Sequence, residues 1–209
     1  GELSLVPHHL IDIINPDEDF SLALYQQLAY RAITDIQQRH KLPLLVGGTG
    51  QYLWAVVEGW VIPPVTPNSE FRQRLEGRAA RGEGEELYQE LAQIDPAAAQ
   101  RIDRRNVRRV IRALEIAGNS GITPAQPQLK VAPPFNTLLI GLTTERKELY
   151  RRIDQRVDKM IEQGLVNEVK KLVAKGFSMN LPAMSSIGYK QIVSYLNGEL
   201  TLAEATRQI

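Results

Sequence analysis

Cysteine is absent from all 209 residues, which excludes disulfides and thiolate metal sites and is compatible with a reducing compartment. Histidine is nearly absent: His8, His9 and His40 make a poor set for a metal ion, and no metal ligands are expected. No apolar run approaches the roughly 20 residues that a membrane-spanning helix needs, and no secretory signal opens the chain. A soluble, cytoplasmic protein without membrane contact is therefore expected. Net charge is small as well. With 25 Lys and Arg against 24 Asp and Glu, a nucleic-acid partner would have to be met by a local basic patch and not by overall charge. What is present is apolar content: 43% hydrophobic residues can bury a sizeable core, as one large domain or one domain carrying an insertion.

The stretch from Lys41 to Trp60, KLPLLVGGTGQYLWAVVEGW, organises the rest. It reads as a buried strand (Leu42 to Val46), a glycine turn (Gly47, Gly48, Thr49, Gly50) and a helix with Tyr52, Leu53, Val56 and Val57 on one side. A strand, loop and helix N-terminus leave backbone N–H groups pointing outward, and glycines let an anion or a nucleotide edge come close to them. Thr49 adds a hydroxyl at the same place. A tight turn that needs positive φ would give the same pattern. No Gly-Lys-Ser/Thr follows, so the loop is not a Walker A sequence.

Upstream, HHLIDII from His8 to Ile14 reads as a short strand. Ser21 then caps a helix of about five turns whose apolar positions run from Leu22 to Ile36. Strand, helix, strand with short connections predicts a right-handed βαβ crossover and parallel pairing. Thr137 to Leu142 (TLLIGL) is a third strand of the same sheet. Between them, proline clusters at Pro63-Pro64 and Pro133-Pro134 bound a helical excursion. Within it Asp95-Pro96 opens one helix and Asn106 caps the next, VRRVIRALEIAG, which would bury Val107, Val110, Ile111 and Leu114 and stop at Gly118. Arg101, Arg104, Arg105, Arg108, Arg109 and Arg112 oppose the single acid Asp103. That is a basic patch suited to phosphates, or else a solvated helix face. Arg72, Arg74 and Arg78 sit among acids and read as ordinary surface.

After the third strand, a helix beginning at Thr144-Glu145 carries the stripe Tyr150, Ile153, Val157, Met160 and Ile161 and ends at Gly164. Arg152 and Arg156, four apart on one face, could clamp a diphosphate or could pair with Asp154 and Asp158. A further helix runs from Val166 to Lys175. Ser185-Ser186-Ile187-Gly188-Tyr189-Lys190 then forms a small-residue turn into another helix, and Thr201 and Glu204 stand at capping-box spacing near the end.

Five of these stretches, HHLID, LPLLVGGTGQYL, RRVIRALEI, RRIDQRVDKMI and SSIGYKQIVSYLNGE, together resemble the tRNA dimethylallyltransferases (tRNA isopentenyltransferases), in the right order over nearly the whole chain. The resemblance implies an α/β fold: a P-loop-kinase-like parallel sheet flanked by helices, made from residues 1–62 and 135–209, with an all-helical, tRNA-contacting insertion at 63–134. It implies transfer of a dimethylallyl group from dimethylallyl diphosphate to N6 of the adenine 3′ of the anticodon, assisted by Mg²⁺. The implied partners are a tRNA anticodon stem-loop and dimethylallyl diphosphate, and the implied state is a monomer.

Residue by residue, the resemblance places Thr49 beside the target adenine and the diphosphate, and makes Gly47, Gly48, Gly50, Arg152 and Arg156 candidates for the diphosphate. It assigns tRNA contact to Thr49, Arg72, Arg108, Arg109, Val110, Ile111, Arg112, Ser185, Ser186, Ile187, Gly188, Tyr189 and Lys190. Gln51 stands where the family more often has an aliphatic residue. Members of that family also begin earlier, with a Walker-type loop and an Asp-Ser-x-Gln segment supplying the general base, and continue in a basic stretch beyond Thr206-Arg207-Gln208. The chain is accordingly expected to be an incomplete, inactive portion of such an enzyme. A free-adenylate isopentenyltransferase, a P-loop nucleotide kinase and a non-catalytic RNA-binding module are the alternatives.

Overall fold

The structure is a computed structural model that describes residues 5–62, 68–120, 129–179 and 181–209. The proline cluster at 63–67 lies outside the described residues. Contact clustering divides the chain into two compact units, Ser21–Asn136 and the pair of segments Gly1–Phe20 and Thr137–Ile209.

The first unit opens with α1 (Leu22–Gln38), where the Ser21 hydroxyl accepts from the Leu24 amide as the expected cap. α1 packs on α2 (Gly50–Val57), burying Ala29, Ile33, Ala55 and Val56. Two side chains fix the pair further. The Gln26 amide donates to the Ala55 and Trp60 carbonyls at 2.6 and 2.8 Å, and the Tyr30 hydroxyl donates to the Val56 carbonyl at 3.1 Å. Four more helices follow: α3 (Ser69–Ala80), α4 (Gly84–Ile94), α5 (Pro96–Arg101) and α6 (Val107–Ser120). They share a core of Leu75, Leu87, Leu91, Ala98, Ala99, Val110, Ile111, Ala113 and Leu114. Burial of each leucine there contributes roughly 1.5–3 kcal/mol. Asp95, nearly buried, caps α5 through the Ala98 amide at 2.9 Å. Asn106 caps α6 through the Arg109 amide at 3.2 Å. α6 runs two residues past Gly118, because an exposed glycine costs a helix only about 1 kcal/mol and does not by itself end one. The chain flanking this bundle is tied by two backbone bonds, Val61 amide to Leu129 carbonyl and Val131 amide to Gly59 carbonyl, each 2.8 Å.

The second unit contains α7 (Arg146–Glu162), α8 (Leu165–Ala174), a 3₁₀ turn (Pro182–Ser185), α9 (Tyr189–Leu196) and α10 (Leu202–Gln208). Leu165, Val169, Ile192, Val193 and Ala205 are its core. The capping box holds: the Glu204 amide donates to the Thr201 hydroxyl, and the Thr201 amide donates to the Glu204 carboxylate. In α7 the stripe is only partly buried. Val157 is in the core, Met160 and Ile161 lie at its edge, and Tyr150 and Ile153 are exposed. The helices that pack on α7 are α8 and α10, and the buried residue lies in its C-terminal half.

The expected parallel sheet is not confirmed by the described residues. Among the described residues there is no strand, and the sole bridge outside helices is an antiparallel one between Trp60 and Lys130. His8 to Ile14 is a series of bends with Leu10 and Asp12 at positive φ. Leu42 to Val46 and Thr137 to Leu142 are irregular chain, with Val46 88% and Leu142 95% exposed. The physical reason is that hydropathy marks a segment fit for burial without supplying what buries it. A parallel strand forms only where neighbouring strands complete its ladder and helices cover its faces.

Candidate functional site

In the glycine loop, Thr49 occupies the cap position of α2, yet its side chain makes no capping hydrogen bond. The Thr49 carbonyl takes the Tyr52 and Leu53 amides, which leaves the Gly50 and Gln51 amides unspent at the positive end of the helix. None of Gly47, Gly48 or Gly50 has positive φ, so the backbone does not require glycine at any of them. Nor does space require it, since a β-carbon on Gly47 or Gly50 would meet only ordinary van der Waals contacts at 3.9 and 3.7 Å. A β-carbon on Gly48 would meet nothing within 4 Å, and the loop is exposed throughout. The arrangement is an open set of amides with a free hydroxyl, able to accept an anion or the edge of a base.

The arginines of the helical bundle divide into two sets. Arg108 and Arg109 are exposed at the first turn of α6 and have no side-chain partner among the described residues. Arg104 lies 3.7 Å from Glu85, a loose surface pair. Arg72 and Arg112 converge on Glu115, a carboxylate with no solvent exposure. Arg72 Nη2 donates to Oε2 at 2.8 Å, Arg112 Nη1 donates to the same oxygen at 2.6 Å, and the Asn68 amide donates to Oε1 at 2.9 Å. Burial alone would raise the Glu115 carboxyl, but the two guanidinium bonds and the backbone amide outweigh it and hold the group below the usual carboxylate range. Val110 and Ile111 are core residues and are closed to a ligand. Arg78, by contrast, is held by Glu83 and Glu90, which raise it further above its ordinary value.

In the other unit, Arg152 and Arg151 both donate to Glu148 at 2.7 Å, and not to Asp154 or Asp158. Hydrogen bonds from Arg151 and Arg152 hold the Glu148 carboxyl down to about 2. Arg156 has no partner among the described residues and remains available to an anion. Within the serine-rich turn, the Ser185 and Ser186 hydroxyls donate to the Pro182 and Ala183 carbonyls at 2.7 and 2.9 Å. Gly188 has φ of +96°, and its amide donates to the Gln191 side chain, so this glycine is demanded by the backbone at the start of α9. The Tyr189 hydroxyl donates to the Glu168 carboxylate, while Ile187 and Lys190 project outward. Burial, and then the Glu168 carboxylate, push the Tyr189 phenol up to about 12. Glu115 and Glu168, the carboxylates that hold Arg72, Arg112 and Tyr189, had no signal of their own in the sequence; the i, i+3 spacing of Arg112 and Glu115 was the one available hint.

A family model described as IPP transferase matches residues 1–209. A tRNA dimethylallyltransferase of Dehalococcoides mccartyi is 48% identical over 209 residues, covering all of this chain and 64% of that protein. One of Thermomicrobium roseum is 52% identical over 204 residues, covering 98% of this chain and 62% of that protein. Among solved structures, the tRNA isopentenylpyrophosphate transferase of Bacillus halodurans is similar with a TM-score of 0.63 and 43% identity, over 99% of this chain and 64% of that one. A eukaryotic dimethylallyltransferase described as acting on tRNA is similar with a TM-score of 0.78 and 26% identity, over 97% of this chain and 52% of that one. The chain belongs to the IPP transferase family. It spans 62 to 64% of the length of the two bacterial relatives.

Proposed function

We propose that the chain is part of a tRNA dimethylallyltransferase. The observation that carries this is the 48 to 52% identity, over essentially the whole chain, with proteins of that name. In the reaction, a bond forms between the adenine N6 and C1 of the dimethylallyl group, the C1–O bond to diphosphate breaks, and N6 gives up a proton to a base. Thr49 and the unspent amides of Gly50 and Gln51 would stabilise charge growing on the departing diphosphate, the kind of contact that is worth most in the transition state. In the other unit, Arg156, without a partner among the described residues, is by itself a candidate to bind an anion, and Arg152 could do so only by sharing with Glu148. The described residues bring no group of three His, Cys, Asp or Glu together as a metal site. Mg²⁺, where bound with the diphosphate, would supply charge neutralisation for the leaving group.

Arg108 and Arg109 would meet the RNA backbone while the loop reads the base, a division of labour usual in RNA recognition. Ile187 and Lys190 would add an apolar and a cationic contact from the turn before α9. In a protein of the relatives' length, we infer that His8–Ile14, Leu42–Val46 and Thr137–Leu142 become strands, a reading supported by their apolar character. The free-adenylate enzyme remains the second reading, because the loop chemistry is common to both acceptors. Labelled dimethylallyl diphosphate, offered to the full-length protein with an anticodon stem-loop and with AMP, tests the proposal. Label is expected on the stem-loop adenine. Transfer to AMP alone would overturn the tRNA reading. Thr49→Ala should lower kcat more than it raises KM for the RNA, and an unchanged kcat would leave the loop a structural role.

A further inference from the structure

The buried carboxylate of Glu115 is an expensive feature that ordinary packing does not call for. Replacing a buried ion pair by apolar residues of like volume is often neutral or stabilising, so stability alone is a weak reason for it. What Glu115 does accomplish is geometric. Its Oε2 atom takes both Arg72 Nη2 and Arg112 Nη1, and its Oε1 atom takes the Asn68 amide at the start of α3. Two guanidinium groups from different helices therefore stand side by side on one acceptor. Each spends part of its fork there, and the side chains stay 37% and 42% exposed, with N–H groups left over. Two arginines against one carboxylate also leave the cluster positive.

We propose that Glu115 is a positioning residue that presents Arg72 and Arg112 as a fixed double fork for a phosphate of the RNA backbone. Free arginines lose rotamer freedom when they bind; a pair already held on a carboxylate has lost it in folding, so more of each hydrogen bond reaches the complex. The inference rests on the reading that the α3 and α6 face meets RNA. It adds that this phosphate contact is made by a preorganised triad, whereas Arg108 and Arg109 act as independent charges.

The test is binding of a synthetic anticodon stem-loop RNA to the full chain, by anisotropy across a salt series, for wild type, Glu115→Gln, Arg112→Lys, their combination, and Arg108→Ala with Arg109→Ala. Simple electrostatics predicts that Glu115→Gln tightens binding, because a negative charge leaves a basic surface. Positioning predicts the opposite sign: weakening of about tenfold, the size of one lost charge-assisted hydrogen bond, with circular dichroism unchanged. Arg112→Lys keeps the charge but cannot hold Glu115 and a phosphate through one planar fork, so it too should weaken binding about tenfold. The combined variant should be little worse than either single one, since both remove the same unit. A folded Glu115→Gln protein that binds as tightly as wild type, or tighter, overturns the proposal. Should Glu115→Gln not fold, Arg112→Lys decides, and wild-type affinity in it overturns the proposal. Weakening by the Arg108 and Arg109 pair without weakening by Glu115→Gln or Arg112→Lys leaves the RNA face standing and removes the triad. No weakening in any variant removes both.

Discussion

A β-carbon on Gly59 would lie 1.7 Å from the Val131 carbonyl oxygen, and the residue sits at φ of +62°. Glycine is therefore demanded twice, by conformation and by the close approach of the chain beyond the bundle. Gly59→Ala should destabilise the Ser21–Asn136 unit by at least about 2 kcal/mol in urea unfolding, with the Val131 to Gly59 hydrogen bond as the first casualty. Glu115 makes a second prediction at this scale. Its folded value lies below the ordinary 4.5, so its contribution is present above pH 4.5 and is lost as pH falls from there through the folded value. A melting series across that acid window should show the bundle weakening, and Glu115→Gln should flatten the dependence. A pH profile identical in both proteins would contradict the assignment. Neither residue stood out in the sequence. Gly59 reads as one glycine among 15, and Glu115 as one acid in a charged helix. Burial and long-range contact, not local pattern, give each its importance.

Helix starts were legible because capping is local chemistry. Ser21, Asp95, Asn106 and Thr201 each accept the amide that a reading of neighbouring residues assigns to them. The apolar face of α6 was legible for the same reason, and its burial of Val110, Ile111 and Leu114 matches the expected stripe. The α7 stripe was less so, because periodicity says that a face is apolar and not how far along the helix a neighbour covers it. Energetic weight should follow coverage. Leu91 in α4 is wholly buried in the bundle core, so Leu91→Ala should cost about 2–5 kcal/mol in chemical unfolding. Ile153→Ala, at an exposed position of α7, should cost well under about 1 kcal/mol in the same experiment. Equal effects would mean that α7 is covered as the sequence pattern implied.

At the scale of the whole chain, the helices were readable and the sheet is not seen among the described residues, and the difference is one of hydrogen-bond economy. A helix closes its bonds within its own segment, while a strand needs partners distant in sequence. No helix among the described residues is long and apolar enough to cross a membrane. The runs at Leu42–Val46 and Thr137–Leu142 are exposed, irregular apolar chain in this structure. Their amides should exchange with solvent far faster than those of α4 and α6; slow exchange there would show ladder pairing.

The central claim is that the helical bundle meets RNA through the arginines of α6, and a salt titration of anticodon stem-loop binding tests it most directly. Arg108 and Arg109 are exposed and unpaired among the described residues, so each should release counterions from one phosphate. Relative to wild type, Arg108→Ala with Arg109→Ala should flatten the log–log slope by roughly 0.7 to 0.9 for each arginine removed, with helical content unchanged. An unchanged slope in a folded double variant would reduce these arginines to a solvated helix face and contradict the account.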